Sequence, residues 1–437
     1  MMSKRFSTVK LAILLPFGLA LSACGSGSNN TAQQSTDTDP VTPSIQPSAE
    51  PTPQPDLYGR LAIADANQPN VALIDLANMA TIADISLQNP ASALYRSPQS
   101  GYAVVVQRKQ NLVEFIDSGI TGSQTRSPSL LDYKIDQALP THFDVTAETA
   151  ALFIDGDSTA GLNAGFVLLS DTSIKQGKAL AEHQFNHAMH GTAQIRGEFA
   201  LTTLRSEDST STLPDTVVLL HQHDDHYHEE TVFADLCPGL HGSTQGPNWT
   251  VFGCEDGVLA IEQSGDAFAS VKIPNLEGMD NVRIGTLKGS QGHDKFLGLT
   301  RSQQAFLVDP ASKSMTEIAW RDNADTRYLA YTVDHHQDHF LVLDNQGYLN
   351  VFEIEDDFKL VARPQVFAAP PALGEGQKIY MTTSGSQNTV FIANQGSNQL
   401  IAFDLDHHEI DSTIDLAFTP AHLAWVGIPQ TPTEHHH

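Results

Sequence analysis

Residues 221–257 read "HQHDDHYHEE" followed by "TVFADLCPGLHGSTQGPNWTVFGCEDG", which brings His221, His223, His226, His228 and His241 together with two of the chain's three cysteines. Imidazole is a borderline-soft ligand, neutral at ordinary pH, and several in one loop or hairpin are a usual means of holding zinc. The segment "TVVLLHQHDDHYHEETVF" reads as a hairpin turning near Asp224-Asp225, and side chains two apart on a strand share a face. His221 with His223, and His226 with His228, then form a patch at an exposed tip, where Asp224, Asp225 and Glu229 or Glu230 add charge. Such a site binds weakly and exchanges fast, which suits loading or hand-over of metal; the plain alternative is a solvated polar turn.

The elements that must position these residues are strands. From Leu57 onward the apolar runs are short, β-branched and broken by Gly, Asn and Asp, as in "GYAVVVQRKQNLVEFID", "HFLVLDNQGYLNVFEI" and "NTVFIANQGSNQLIAFDL". Each is a strand, a brief turn and another strand. Helical periodicity is confined to "IKQGKALAEHQF" (174–185). The strand that enters each unit begins near Ala93, His142, His190, His241, Ile284, Arg327, Ile379 and His422, a recurrence every 43 to 52 residues. That is the length of a four-stranded blade, so the expected fold is all-β, a β-propeller of eight blades with seven as the alternative. Residues 57–90 supply three strands and "HLAWVG" (422–427) a lone inner one, so both chain ends are expected to share one blade and close the ring.

This alignment has a chemical consequence. Three consecutive units begin with histidine: His142 in "PTHFD", His190 in "AMHGT" and His241 in "GLHGS". Innermost strands line a propeller's channel, so equivalent positions converge on the axis, where three imidazoles and a carboxylate or water meet the tetrahedral preference of zinc. His422 in "PAHLAW" holds the related place in the closing blade, and His187 shortly precedes His190. Asp144, Glu255 and Asp256 are candidate oxygen ligands, or partners that orient the rings. A metal-free row of hydrogen-bonded channel residues is the other reading.

"CPGLHG" followed by "FGCEDGVL", preceded in order by "THFDVTAETAALFIDGD" (141–157) and "MHGTA" (189–193), resembles the AztD-type periplasmic zinc chaperones over roughly residues 57–428. The resemblance implies a propeller that binds Zn²⁺ and passes it to the solute-binding protein of a zinc ABC importer. It makes His142, His190 and His241 the first choice of ligands.

Lys4, Arg5 and Lys10 precede an apolar run from Leu11 to Leu21 and the sequence Leu21-Ser22-Ala23-Cys24. Residues 1–23 thus read as a lipoprotein signal peptide with Cys24 as the lipidated residue; ordinary cleavage leaving Cys24 free is the alternative. Residues 24–56, rich in Ser, Thr and Pro, read as a disordered tether, 57–428 as a single propeller domain and 429–437 as a tail. His435 to His437 read as a fragment of an expression tag. The expected location is the periplasmic side of a bacterial membrane, the outer one favoured, with a soluble periplasmic protein as alternative; a monomer is expected.

With Cys24 taken by lipid, Cys237 and Cys254 remain, and an even remainder in an exported chain argues for a disulfide that would stiffen the His241 loop. Thiolate ligation of zinc is its rival. The 24 basic against 51 acidic side chains give a net charge of −27, a surface that repels nucleic acid and concentrates cations. GxSxG, HExxH and phosphate-binding loops are absent from the sequence, so catalysis is not expected. A zinc-dependent lactonase or esterase, and a plain binding scaffold with incidental metal, are the alternatives.

Overall fold

Turn residues set the beat of the chain. The strands Tyr102–Gln107 and Leu112–Asp117, both wholly buried, are joined by one 3₁₀ turn, Arg108–Gln110, which ends at Asn111 with φ of 57°. Asparagine tolerates that left-handed conformation because its short amide can bond locally. The computed structural model describes residues 56–431 apart from Leu57, Ser123, Glu207, Asp208 and Asn281. The signal peptide, Cys24, the tether up to Pro55 and His435 to His437 lie outside the described residues.

Among the described residues the strands form six four-stranded sheets, one eight-stranded sheet and a two-stranded ribbon. The eight-stranded sheet divides into two antiparallel runs of four, residues 140–184 and 193–232, joined edge to edge by one parallel pairing of Glu182 with His226. A cavity of 810 Å³ is lined by Arg96, Asp144, Gln194, Thr244, Lys288, Tyr331 and Thr382, one from the first strand of each of seven such runs. First strands that surround one cavity, with their sheets running outward, make a β-propeller.

The ring closes between the chain ends. Pro420–Gly427 pairs antiparallel with Gly59–Asp65, with Gly59 opposite Gly427 and Arg60 opposite Val426. Asp56 reinforces this seam, accepting hydrogen bonds from the Trp425 indole at 3.1 Å and from the Ser384 hydroxyl at 3.1 Å. No sheet edge is then left at the junction.

The core lies between successive sheets. Leu341, Leu343 and Val351 of one sheet meet Val390, Ile401 and Phe403 of the next. Each such side chain withdrawn from water contributes about 1.5–3 kcal/mol, so the sheets hold one another without a helical layer.

The stretch 174–185 departs from the helical expectation. The helix is Asp171–Gln176, capped by Ser170 and ended by Gly177 at φ of 69°, and Ala181–Gln184 is a strand paired with Gly165–Leu169. The open edge of the sheet outweighs helix propensity beyond the glycine. Among the described residues no helix is long and apolar enough to cross a membrane. Cys237 and Cys254 form a disulfide, with Cα atoms 4.9 Å apart, inside the buried cluster of Leu240, Phe252 and Leu259.

Candidate metal centre

His142 lies in the strand Pro140–Val145, while His190 and His241 stand just before Ala193–Arg196 and Ser243–Gln245, the first strands of the next two runs. Their ligand atoms all lie within 4.8 Å of one another. The ring centroids are 5.0 Å apart for His142 and His190, 5.3 Å for His190 and His241, and 5.9 Å for His142 and His241. Nε2 of His142 is 3.4 Å from Nε2 of His190. Metal–nitrogen bonds of 2.0–2.1 Å at tetrahedral angles put ligand nitrogens about 3.4 Å apart, so this pair already spans one edge of a zinc tetrahedron.

The far side of two rings is held. His190 donates from Nδ1 to Asp155 Oδ2 at 2.7 Å, and His241 donates from Nδ1 to the carbonyl of Gly285 at 2.9 Å. Each bond fixes the tautomer that leaves Nε2 with its lone pair toward the centre. Asp155 is itself gripped by Arg108, 2.6 Å away, whose guanidinium also donates to the carbonyls of Leu139 at 2.7 Å and Pro140 at 3.3 Å. Burial, then the neighbouring imidazoles, push the His142 imidazolium down to about 3, so the ring is neutral around pH 7. Burial also lowers His241, against the raising effect of its bond to Gly285.

The glycine after each of two histidines is required. A Cβ on Gly191 would stand 2.3 Å from Thr203 Oγ1 and 2.5 Å from Phe153 Cζ. Gly242 has φ of 84°, and a Cβ there would press on the Gly285 carbonyl that holds His241. Two residues beyond each histidine, Asp144, Thr192 and Ser243 form a second tier. Thr192 donates to Asp144 at 2.9 Å and lies 2.8 Å from the Ser243 hydroxyl. These lateral bonds show that the three segments run in matching register.

No family model matches the chain. Its sequence is 24% identical over 380 residues to the zinc chaperone AztD of Citrobacter koseri, covering 84% of this chain and 86% of that protein. The apo structure of AztD from Citrobacter koseri superposes with a TM-score of 0.72 at 23% identity, over 86% of this chain and all of that one. A second crystal structure of that AztD gives 0.70 at 22% identity, with the same coverage of 86% and 100%. The chain is thus similar in sequence to AztD and shares its fold. The dihydro-heme d1 dehydrogenase NirN, at 12% identity and a TM-score of 0.56 over 88% of this chain and 78% of its own, shares the fold alone.

The other residues named from sequence go elsewhere. Asp144 lines the 810 Å³ cavity in the tier beyond the histidines; burial, opposed by its bonds to Thr192 and Gln194, raises its carboxyl to about 6. The three imidazoles themselves lie outside that cavity's lining. His422 packs on Tyr380 with centroids 4.9 Å apart, and burial, then Lys378, push it down to about 4. His187 lines a different pocket, with His183 and Glu229, and its Nε2 is buried without a hydrogen-bond partner. Glu255 lies over Gly239 at a hairpin turn, and Asp256 pairs with Lys272 at 2.5 Å. None of His187, His422, Asp144, Glu255 or Asp256 joins the cluster of three. Cys237 and Cys254 bond each other, which withdraws both thiolates from metal ligation. Asp155 is a functional residue that the sequence motifs do not single out; its place right after the buried strand Ala150–Ile154 is the available signal.

Proposed function

We propose that the chain is a zinc carrier that holds Zn²⁺ at His142, His190 and His241 and passes it to the solute-binding protein of a zinc ABC importer. The observation that carries this reading is the convergence of three imidazole nitrogens within 4.8 Å, two of the rings fixed from behind by Asp155 and Gly285. The relation to a protein named as a zinc chaperone supports it. Three nitrogen donors leave one tetrahedral position for water or for a donor from an acceptor protein, so the ion can be handed over by ligand exchange. A carrier gains from that open position because the incoming ligand binds before the last imidazole lets go.

The signal at residues 1–23 and Cys24 support a lipid-anchored carrier on the periplasmic side of a bacterial membrane, with residues 24–56 as its tether. The deciding experiment is zinc analysis with chelator competition on the wild type and on H142A/H190A/H241A. The wild type is expected to retain one tightly held ion that the triple variant lacks, and to transfer it to a zinc solute-binding protein. Equal retention by both proteins refutes the assignment.

A further inference from the structure

The histidine-rich hairpin is not used by the site above. Its strands, Thr216–His223 and His226–Val232, pair with His223 opposite His226, Gln222 opposite Tyr227 and His221 opposite His228. Residues directly opposite in an antiparallel ladder share a face, as do residues two apart, so all four imidazoles stand on one side. Tyr227 takes the other side, buried against Phe166 with centroids 5.0 Å apart, which anchors the hairpin and keeps the histidines outward. The turn is Asp224-Asp225, with Asp224 at φ of 55°.

The ladder slips one residue along. Leu220 faces Glu229 but Leu219 faces Thr231, so Glu230 is the extra residue of a bulge and has no cross-strand partner. Its carboxylate lies 3.6 Å from His221 Nδ1. His221, His223 and Glu230 have ligand atoms all within 4.8 Å of one another. Nε2 of His226 and Nε2 of His228 are 3.0 Å apart, and the His223 ring lies 4.9 Å from that of His228 and 4.8 Å from that of His221, which links the two groups. Phe199 stacks on His221 at 4.7 Å, and Asp225 lies 3.2 Å from His226 Nδ1, so rings at both ends of the patch are steadied.

We infer that this face is a second site for a divalent transition-metal ion, held by His221, His223 and Glu230, with His226 and His228 as the pair through which the ion enters and leaves. Two imidazoles and one carboxylate form a donor set of the type zinc accepts, with the remaining position open to water. The set is largely exposed, so the ion exchanges faster than one held by three half-buried histidines of the channel. The site shares no residue with the channel cluster and stands or falls without it.

The test is equilibrium dialysis of the full chain against Zn²⁺ in the H142A/H190A/H241A background, with and without H221Q/H223Q/E230Q. His435 to His437 are common to all variants and cancel in the comparison. One equivalent of zinc is expected to disappear with the second set of changes; equal stoichiometry in the two proteins overturns the site. If the wild type and the channel variant bind alike while the hairpin changes still remove one equivalent, the channel reading fails and this one holds. A second variant, H226Q/H228Q, keeps Tyr227 and the turn; it is expected to retain the equivalent but release it to a chelator several-fold more slowly. An unchanged release rate overturns the entry-pair assignment.

Discussion

Asp155→Ala is the sharpest single perturbation of the channel cluster. The carboxylate is 6% exposed and accepts from both His190 Nδ1 at 2.7 Å and Arg108 at 2.6 Å through the same oxygen. Hydrogen bonds to a charged group contribute about 1.5–3 kcal/mol, and loss of a ligand's orienting partner costs metal affinity about 10- to 100-fold, so the two scales agree. The backbone of residue 155 stays anchored, because its N–H donates to Leu139 and its carbonyl accepts from Met189. The fold therefore survives while the His190 ring and tautomer come free. The assay is competition for Zn²⁺ with a chromogenic chelator, with thermal unfolding of the metal-free protein as control. Arg108→Met provides the discriminating partner: it leaves the His190–Asp155 bond and frees the carboxylate from its rival, so affinity is expected to hold or rise. If D155A binds zinc as the wild type does, or R108M loses as much as D155A, orientation of His190 by Asp155 is not what builds the site.

Gly242→Ala places a Cβ at φ of 84° and 2.8 Å from the Gly285 carbonyl oxygen; it is expected to lower zinc affinity by about tenfold, since strain of this kind costs on the order of 1–2 kcal/mol, as chelator competition would read. The double change C237S/C254S removes a cross-link spanning 17 residues; it is expected to destabilise the fold by roughly 3 kcal/mol in denaturant titration and to speed zinc release from the His241 side. His339 is raised above its ordinary value by its hydrogen bond to Asp334, and it also pairs with Glu353 at 3.1 Å. A raised value means the charged ring stabilises the fold fully below the unfolded value of about 6.5 and ceases to do so as pH climbs through the folded value. The difference in melting temperature between wild type and H339Q is therefore expected to be wider at about pH 5.5 than at about pH 8.5. A gap that widens with rising pH contradicts the sign.

What could be read beforehand depended on whether a residue's place in the repeat also fixed its place in space. His142, His190 and His241 were legible because blade period converts a spacing along the chain into lateral neighbours on adjacent first strands, and the lateral bonds among Asp144, Thr192 and Ser243 show that register directly. The hairpin histidines were legible for a simpler reason, since period two and a two-residue turn determine a shared face. His422 shows the limit of the same logic. It occupies an equivalent strand position in the closing sheet, yet it packs on Tyr380 and takes no part in the cluster of three.

Asp155, and the choice of Glu230 over Glu229, were hidden for opposite physical reasons. Asp155 follows the second strand of its run, one layer out, and reaches His190 only because the chain turns back there through Gly156 at φ of 71°. Glu230 owes its position to a slip of the ladder, and a bulge obeys no alternation that could be counted from the sequence. Asp155 bears on His190 from the neighbouring run, whereas Glu230 reaches His221 from the adjacent strand of its own run. The histidines are thus set by the periodic part of this fold, and the carboxylates beside them by its irregular part; a reading of period alone finds the former and leaves the latter open. It follows that exchanging a whole blade with that of a relative should transplant the histidine but lose affinity unless the strand-end acid of the neighbouring run goes with it.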